Sequence, residues 1–450
     1  MSDEVLTRRS AGILLHPTSL PNGTLGGSAY EFMDFLLRAG CHVWQVLPLA
    51  PTDMEGSPYS PVSVFAGNAG LLPQMAGQTV NPADVAEFVE RELHWLPDYG
   101  LFTILKRHSG NAAWWDWPPD ARDRKDAAIA ALMKRHVEEI AGVYLDQFRF
   151  DDAWRQLRRY ANDRGILLYG DLPMFTVADS ADVWSNQRLF QLGPDGRSRA
   201  TAGVPPDAFA EDGQYWGNPL FDWETMQNDG FRWWVERVRH ELRRCDLLRL
   251  DHFRGLIATW SIPEGAASAR DGEWREVPGR QLLTTLKRDL GTLPLVAENL
   301  GDITPEVEQL RHEFGLPGMH VFQFAFDGLP DNPHRPAHHE VQGVAYTGTH
   351  DNDTTLGWFH ALAPEVRHTV LAETGGNENA MPWPAIHSVL QSRARLAVIP
   401  MQDYLSLDTS HRMNRPGVAA GNWRWRLKPS DLTARLADRI RASVQAASRS

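Results

Sequence analysis

The chain has 450 residues, with 57 Asp and Glu against 45 Lys and Arg, which gives a formal net charge of −12. That balance argues against nucleic acid or an anionic membrane surface as a partner, because both attract clustered basic residues. The length exceeds the roughly 250–300 residues at which a single hydrophobic core stops growing, so we expect either two units or one large scaffold with insertions.

Eight short apolar runs, each followed by polar residues, are the predicted strands. Their apolar parts are nearly continuous rather than alternating, which is typical of parallel strands buried on both faces of a sheet. In chain order they span residues 12–17, 42–48, 166–173, 247–253, 294–300, 319–324, 344–351 and 396–405.

Helical patterns separate these runs. Ser28 and Glu31 form a predicted capping box at the start of one helix, which Gly40 would end. Thr304 at an N-cap and Pro305 at the first helical position predict a second helix. A third has one apolar stripe made of Phe231, Trp234, Val235, Val238 and Leu242.

Eight strand candidates that alternate with helices predict an α/β fold, a (β/α)₈ TIM barrel that forms one domain over residues 1–450. A doubly wound open sheet is the competing fold, but no G-x-G-x-x-G motif follows any run to support its dinucleotide-binding version. The connections at 49–165 and 174–246 are much longer than the roughly 25 residues that a plain barrel needs. We therefore predict large insertions after strands 2 and 3, with inserted segments at about 70–160 and 176–245.

Three carboxylates follow predicted strands. In such barrels, polar residues at the carboxyl ends of the strands point into the site. Asp251 ends the fourth run, Glu298 the fifth and Asp351 the seventh, so their side chains should converge on one mouth. Arg249 and Asp251 lie two positions apart and share a strand face, so Arg249 should keep Asp251 ionised.

Cleavage of a glycosidic bond requires two carboxylates, one ionised and one that can be protonated. One attacks the anomeric carbon, while the other protonates the leaving oxygen and then deprotonates the incoming nucleophile. Glu298 is the better acid, because the apolar residues 294–297 before it should raise its pKa. A lone carboxylate at a strand end is more often a cap or an ion-pair partner, but three on separate strands are far more specific.

Ten segments in a fixed order resemble the amylomaltases or disproportionating enzymes, the 4-α-glucanotransferases of glycoside hydrolase family seventy-seven. The resemblance extends from residue 12 to about residue 427. The segments are GILLHPTSLP (12–21), WQVLPLAPT (44–52), SPYSPVSVFAGN (57–68), GDLP (170–173), GVPPD (203–207), GQYWGNPLF (213–221), RLDHFRG (249–255), AENLG (297–301), TGTHDNDT (347–354) and NWRWR (422–426).

The resemblance implies a retaining double displacement. It implies that Asp251 is the nucleophile, Glu298 the general acid/base and Asp351 the carboxylate that stabilises the transition state. The positions that match substrate-binding residues of the family are Tyr59, Asp171, Gln214, Trp216, Arg249 and His350. The implied donors and acceptors are maltooligosaccharides and α-1,4-glucans; we predict no cofactor, and a monomer or weak homo-oligomer.

One departure from the family pattern is Ala208, where the family usually has an aromatic residue after PPD. An aromatic side chain there would stack on sugar, so its replacement predicts a changed preference for acceptor or chain length.

The histidines at 334 and 338 do not predict a metal site. His334 and His338 have the spacing of helical zinc ligands, but Pro333 and Pro336 would break a helix there. We predict a solvated loop at this place and no metal ligands.

Tryptophan is unusually common, with 17 Trp against 9 Tyr. Bulky core residues and flat platforms for sugar rings would both explain this count. Core packing is favoured for Trp114, Trp115 and Trp117, whereas Trp216 has the best claim to contact sugar.

The cellular location is predicted from cysteines and targeting signals. Cys41 and Cys245 are too few for a disulfide framework, which fits a reducing compartment. The first ten residues lack a signal-peptide pattern, and no apolar stretch reaches the roughly 18 residues of a membrane span. We predict a cytoplasmic protein with no membrane or nucleic-acid partner.

Three functions remain open. The first is transfer of glucan segments, the second is hydrolysis by an enzyme of the amylase clan, and the third is glucan binding by an inert barrel. A reducing-end assay separates the first two. The set of three carboxylates disfavours the third, since a binding protein has no need of an acid/base at Glu298.

Overall fold

The computed structural model describes residues 8–73, 80–206, 211–418 and 420–449. Its strands are numbered in chain order. They are β1 Ser10–Leu14, β2 Val43–Gln45, β3 Leu167–Leu172, β4 Ala200–Val204, β5 Gln214–Pro219, β6 Leu247–Leu250, β7 Ala258–Pro263, β8 Glu273–Glu276, β9 Leu295–Ala297, β10 Gly318–Val321, β11 Gly343–Tyr346 and β12 Leu396–Pro400.

Eight of these strands form one parallel sheet in the order β10-β11-β12-β1-β2-β3-β6-β9. At its two edges, the N–H of Ala297 donates to the Pro317 carbonyl at 2.8 Å, and the N–H of Met319 donates to Asn299 Oδ1 at 2.8 Å. The sheet is therefore nearly closed into a barrel. The predicted (β/α)₈ fold is confirmed, and the open doubly wound sheet is wrong.

Both faces of the barrel strands are buried, which explains their nearly continuous apolar sequences. One cluster draws a buried side chain from every barrel strand and fills the interior. It includes Leu14, Val43, Tyr169, Leu247, Val296, Met319, Val344 and Leu396. Neighbouring strand residues such as Ile13, Trp44 and Ala397 belong to a different cluster, which includes side chains of the surrounding helices.

The helices occupy the connections between strands. Their bounds are Gly27–Arg38, Pro82–Arg91, Leu96–His108, Pro119–Arg122, Asp126–Arg135, Val137–Asn162, Ala181–Ser185, Trp223–Asn228, Arg232–Arg244, Gly279–Leu290, Pro305–Glu313, Thr355–Ala361, Pro364–Thr374, Trp383–Gln391, Met401–Tyr404 and Ala434–Ala446. No helix within the described ranges is long and apolar enough to cross a membrane.

The predicted capping box at Ser28 is wrong. The first helix begins at Gly27 with Gly26 as its N-cap, so Ser28 lies inside the first turn. A Cβ at Gly26 would lie 3.3 Å from Pro73, and this tight approach favours glycine at the cap. The predicted end is confirmed, since Gly40 follows the C-cap with a φ of 71°.

The other two helix predictions are confirmed. Thr304 is the N-cap and Pro305 the first residue of the helix Pro305–Glu313. The apolar stripe that starts at Phe231 belongs to the helix Arg232–Arg244, and Phe231 is its N-cap.

Most tryptophans of the long connections pack in the core. Trp114, Trp117 and Trp184 are buried, and the indole of Trp184 donates to the Ala121 carbonyl at 3.0 Å. Trp117 and Trp184 come from the two different long connections, and their rings pack edge to face with centroids 5.5 Å apart. Trp115 is partly buried and packs against the same core, so core packing is confirmed for Trp114, Trp115 and Trp117. The division into a single domain with inserted segments at 70–160 and 176–245 stays a prediction.

A second sheet was not predicted. It is four-stranded and antiparallel, with the order β5-β4-β7-β8. Two of its strands lie between β3 and β6, and the other two lie between β6 and β9, so a connection beyond the two predicted long ones also contributes strands. β5 carries Gln214 and Trp216 and is only partly buried, so its sequence lacks the apolar run that marks the barrel strands.

Candidate active site

The three carboxylates lie beyond the carboxyl ends of barrel strands. Asp251 directly follows β6, Glu298 directly follows β9, and Asp351 lies five residues after β11. Backbone hydrogen bonds continue past the strands, from Asp251 N–H to the Leu172 carbonyl at 3.0 Å and from Glu298 N–H to the Leu250 carbonyl at 3.0 Å. The strand ends are thereby fixed to one another, and all three carboxylates lie at the same end of the barrel, as predicted.

Arg249 connects two carboxylates beneath the site. Its Nη2 lies 2.6 Å from Asp251 Oδ1, and its Nη1 donates to both oxygens of Asp171 at 2.7 and 3.0 Å. Burial disfavours its charge, but Asp171 and Asp251 outweigh that penalty and raise the pKa of Arg249 well above its usual range. A fixed guanidinium therefore orients Asp251, and the predicted pairing of Arg249 with Asp251 is present.

Tyr59 extends this network from the loop that follows β2. Its hydroxyl donates to Asp171 Oδ2 at 2.8 Å. Two hydrogen bonds hold the end of this loop. Gly67 N–H donates to Gln147 Oε1 at 2.7 Å, and Gln147 Nε2 donates to the Gly67 carbonyl at 2.9 Å. A Cβ at Gly67 would lie 1.9 Å from the ring of Phe150, so only glycine fits there.

Glu298 is buried and is held by backbone N–H groups. His252 N–H donates to its Oε2 at 2.7 Å, and Leu300 N–H donates to its Oε1 at 3.0 Å. Burial, with the negative charge of Asp251, outweighs these donors and Arg249 and raises the pKa of Glu298 to about 8. Glu298 is therefore mostly protonated at neutral pH, in agreement with the sequence expectation.

The backbone adopts a left-handed conformation at His252, directly after Asp251. Its φ of 51° and ψ of 52° are left-handed, a region that costs a non-glycine residue on the order of 1 kcal/mol. His252 directly follows the strand end at Asp251, and its own N–H is the one that donates to Glu298. The side chain of His252 meets the Trp216 indole edge to face at 4.9 Å.

Asp351 is the most exposed of the three, with 44% of its side chain accessible. His350 Nε2 lies 3.3 Å from its Oδ2, and Asn414 donates to its Oδ1 at 2.6 Å. Partial burial opposes ionisation, but His350 and Asn414 outweigh it and lower the pKa of Asp351 well below its usual range. Arg412 also donates to the Asp351 carbonyl at 2.5 Å.

Aromatic faces border these carboxylates. The rings of Tyr59 and His350 stack at 4.9 Å with an interplanar angle of 15°, and Trp423 lies 6.0 Å from each of them. On another side, Trp216 is 36% exposed, and its indole N–H donates to Gln214 Oε1 at 3.1 Å. Flat apolar rings beside polar groups can take up sugar rings, which have both kinds of surface.

The chain matches a family model described as 4-alpha-glucanotransferase, glycoside hydrolase family seventy-seven, over residues 14–75 and 73–433. It belongs to this family. The 4-alpha-glucanotransferase of Thermus thermophilus is 41% identical over 495 residues, which cover 98% of this chain and 99% of that one. The relative of the same name from Synechocystis is 40% identical over 482 residues and 95% of each chain.

A solved structure supports the same assignment. The amylomaltase of Streptococcus agalactiae, determined in complex with acarbose, has a TM-score of 0.93 at 33% identity. The match covers 98% of this chain and 100% of that one. The resemblance drawn from ten short segments to the 4-alpha-glucanotransferase family is thus confirmed.

All nine predicted site residues of this family member lie within the described ranges. The structure connects Tyr59, Asp171 and Arg249 by hydrogen bonds and Arg249 to Asp251 by an ion pair. It also pairs His350 with Asp351 and Gln214 with Trp216. Ala208, the predicted departure from the family pattern, lies outside the described residues.

Sequence reasoning missed His252, Arg412, Asn414 and Trp423. His252 directly follows Asp251 in a segment already singled out, and Trp423 lies in NWRWR. Their positions in these segments could have marked both residues as part of the site. Asn414 is 63 residues from Asp351 along the chain, and no local pattern predicts that contact.

Proposed function

We propose that this chain is a 4-α-glucanotransferase, which moves a segment of a 1,4-α-D-glucan to the 4-hydroxyl of glucose or another 1,4-α-D-glucan. The observation that carries the proposal is that two neighbouring carboxylates have different environments. Asp251 is ion-paired with Arg249, whereas burial raises the pKa of Glu298 to about 8. A retaining double displacement needs one carboxylate as nucleophile and one that is protonated.

In the first step, Asp251 attacks the anomeric carbon of the donor. Its Oδ1 is paired with Arg249, and no hydrogen bond to Oδ2 occurs among the described residues, so Oδ2 is the attacking atom. The bond from the anomeric carbon to the leaving oxygen breaks as Glu298 gives its proton to that oxygen. A glucosyl-enzyme ester on Asp251 and a shortened glucan result.

In the second step, an acceptor replaces the shortened glucan. Its 4-hydroxyl passes a proton to Glu298 and attacks the anomeric carbon, and the ester bond to Asp251 breaks. Glu298 is again protonated, and Asp251 is again ionised. Two inversions at one carbon retain the α configuration.

Asp351 is proposed to stabilise positive charge on the sugar between these states. Its lowered pKa keeps it ionised, and preorganised charge of this kind supplies most of the rate enhancement in many enzymes. His350 and Asn414 hold it in place.

The proposed substrates are maltooligosaccharides and longer α-1,4-glucans, as both donors and acceptors. The related amylomaltase was determined in complex with acarbose, which supports a carbohydrate ligand. Tyr59 and Trp216 are the proposed stacking platforms, with Asp171, Gln214, Arg249 and His350 as the polar contacts. The cytoplasmic location and the monomeric or weakly oligomeric state stay predictions.

Incubation with maltotriose tests the proposal. We expect glucose together with maltooligosaccharides longer than maltotriose, and little change in the total number of reducing ends, because transfer makes one glycosidic bond for each one that it breaks. Chromatography of the products and a reducing-end assay of the same samples measure both quantities.

Hydrolysis would give a different result. Each bond broken by water adds one reducing end, so a rise of one reducing end for every maltotriose split into glucose and maltose would contradict transfer. Binding of maltotriose without any new product would instead favour the inert glucan-binding protein.

A further inference from the structure

Two histidines and a glutamate form a compact group on helix ends far from the catalytic residues in the sequence. We call His108, His136 and Glu139 the His108 cluster. His108 Nε2 lies 3.1 and 3.0 Å from the two Glu139 oxygens, and His136 Nδ1 lies 2.7 Å from Glu139 Oε1. One donor atom from each residue lies within 4.8 Å of the other two.

Rigid backbone brings these three residues together. His108 is the last residue of the helix Leu96–His108, His136 lies between two helices, and Glu139 is in the first turn of Val137–Asn162. The two long helices approach closely, because a Cβ at Gly100 would lie 2.8 Å from Tyr144 and 3.1 Å from Ile140. The ends that carry the cluster are thereby held side by side.

Two other groups of potential ligands in the described ranges are already neutralised by arginine. Arg91 and Arg243 contact Glu92 beside His240 at 2.8 Å, and Arg311 contacts both carboxylates beside His312 at 2.5 and 2.9 Å. Within the described residues, Glu139 is ion-paired only with the two histidines. The His108 cluster therefore keeps its carboxylate available.

We propose that the His108 cluster binds a divalent transition metal of the Zn²⁺ class. Two imidazole nitrogens and one carboxylate form a ligand set that suits zinc, with bonds of about 2.0–2.2 Å. Such bonds separate the ligand atoms by roughly 3.3 Å in a tetrahedron, so the two histidine–glutamate contacts need only a small expansion. His108 and Glu139 are about half exposed, and water can supply the fourth ligand.

The sequence predicts no metal ligands, and this site departs from that prediction. Its residues do not follow a short zinc motif, since 27 positions separate the two histidines along the chain. Bound metal would fasten the end of one helix to the start of another within the β2–β3 connection. The role is structural, and it does not depend on the proposed transferase function.

Calorimetric titration of the purified protein with zinc sulfate near neutral pH tests this proposal. We expect one strong site per chain and a zinc-dependent rise in melting temperature. His108→Asn and Glu139→Gln should each weaken binding by at least about 10- to 100-fold, the loss seen when even outer-shell partners are removed. Both exposed substitutions should fold, which the melting temperature without zinc checks.

His312→Asn is the matched control. It removes an exposed histidine from a cluster whose carboxylates Arg311 already occupies, so the strong site should be unchanged. Both cysteines are buried and do not compete for zinc. Equal zinc affinity in His108→Asn and the unchanged protein, or no strong site in either, would overturn the proposal.

Discussion

Replacing Glu298 with Gln should lower kcat for maltotriose disproportionation by on the order of 10²- to 10⁴-fold, the usual contribution of a general acid/base. Glutamine keeps the size of the side chain and can still accept a hydrogen bond, but its amide has no acidic proton to give to the leaving oxygen. Maltotriose should still bind, because the stacking and polar groups around the site are unchanged. Initial rates and calorimetric titration with maltotriose measure the two effects separately.

Glu264→Gln is the control for this variant. Glu264 is an exposed carboxylate just after β7, so its replacement should leave turnover unchanged. Melting temperatures of both variants show whether the fold is kept. A Glu298→Gln variant with more than a tenth of the normal kcat would refute the assignment of Glu298 as acid/base.

The pH dependence of kcat/KM gives a further prediction. Burial raises the pKa of Glu298 to about 8, so the free enzyme holds the required proton below that pH and loses it above. We expect kcat/KM to fall about tenfold per pH unit on the alkaline side of pH 8. The alkaline limb should disappear in Glu298→Gln, and a limb that persists there would belong to another group.

The barrel and the three carboxylates could be predicted because their signals are local. Buried parallel strands are apolar on both faces, so each strand shows as a mostly apolar run followed by polar residues. Asp251 directly follows β6, and Glu298 directly follows β9. Strand geometry alone also places Arg249 and Asp251 on one face.

The remaining features depend on contacts between distant segments. The contact of Asn414 with Asp351, the antiparallel sheet that carries Trp216, and the left-handed His252 all arise from tertiary packing. The capping box at Ser28 is also wrong where a distant segment approaches, since Pro73 lies close to the N-cap Gly26. Local propensity is a weak guide wherever a neighbouring segment decides the conformation.

Replacing Asp251 with Ala should lower turnover on the order of 10⁴- to 10⁶-fold, as for other covalent nucleophiles. Without the carboxylate, no glucosyl-enzyme can form. Removal of its negative charge should also lower the pKa of Glu298, because Asp251 is one cause of that raised pKa. Single-turnover rates and the pH profile of residual activity measure these effects.

Sodium azide with α-maltosyl fluoride distinguishes the roles of the two carboxylates. In Asp251→Ala, azide can attack the anomeric carbon from the vacated face as fluoride leaves, which inverts that carbon and gives β-maltosyl azide. In Glu298→Gln, Asp251 still forms the ester and azide then displaces it, which gives the α anomer. Proton NMR separates the anomers. Each displacement inverts the anomeric carbon, so one displacement gives the β azide and two give the α azide. The reverse pattern would exchange the roles of Asp251 and Glu298.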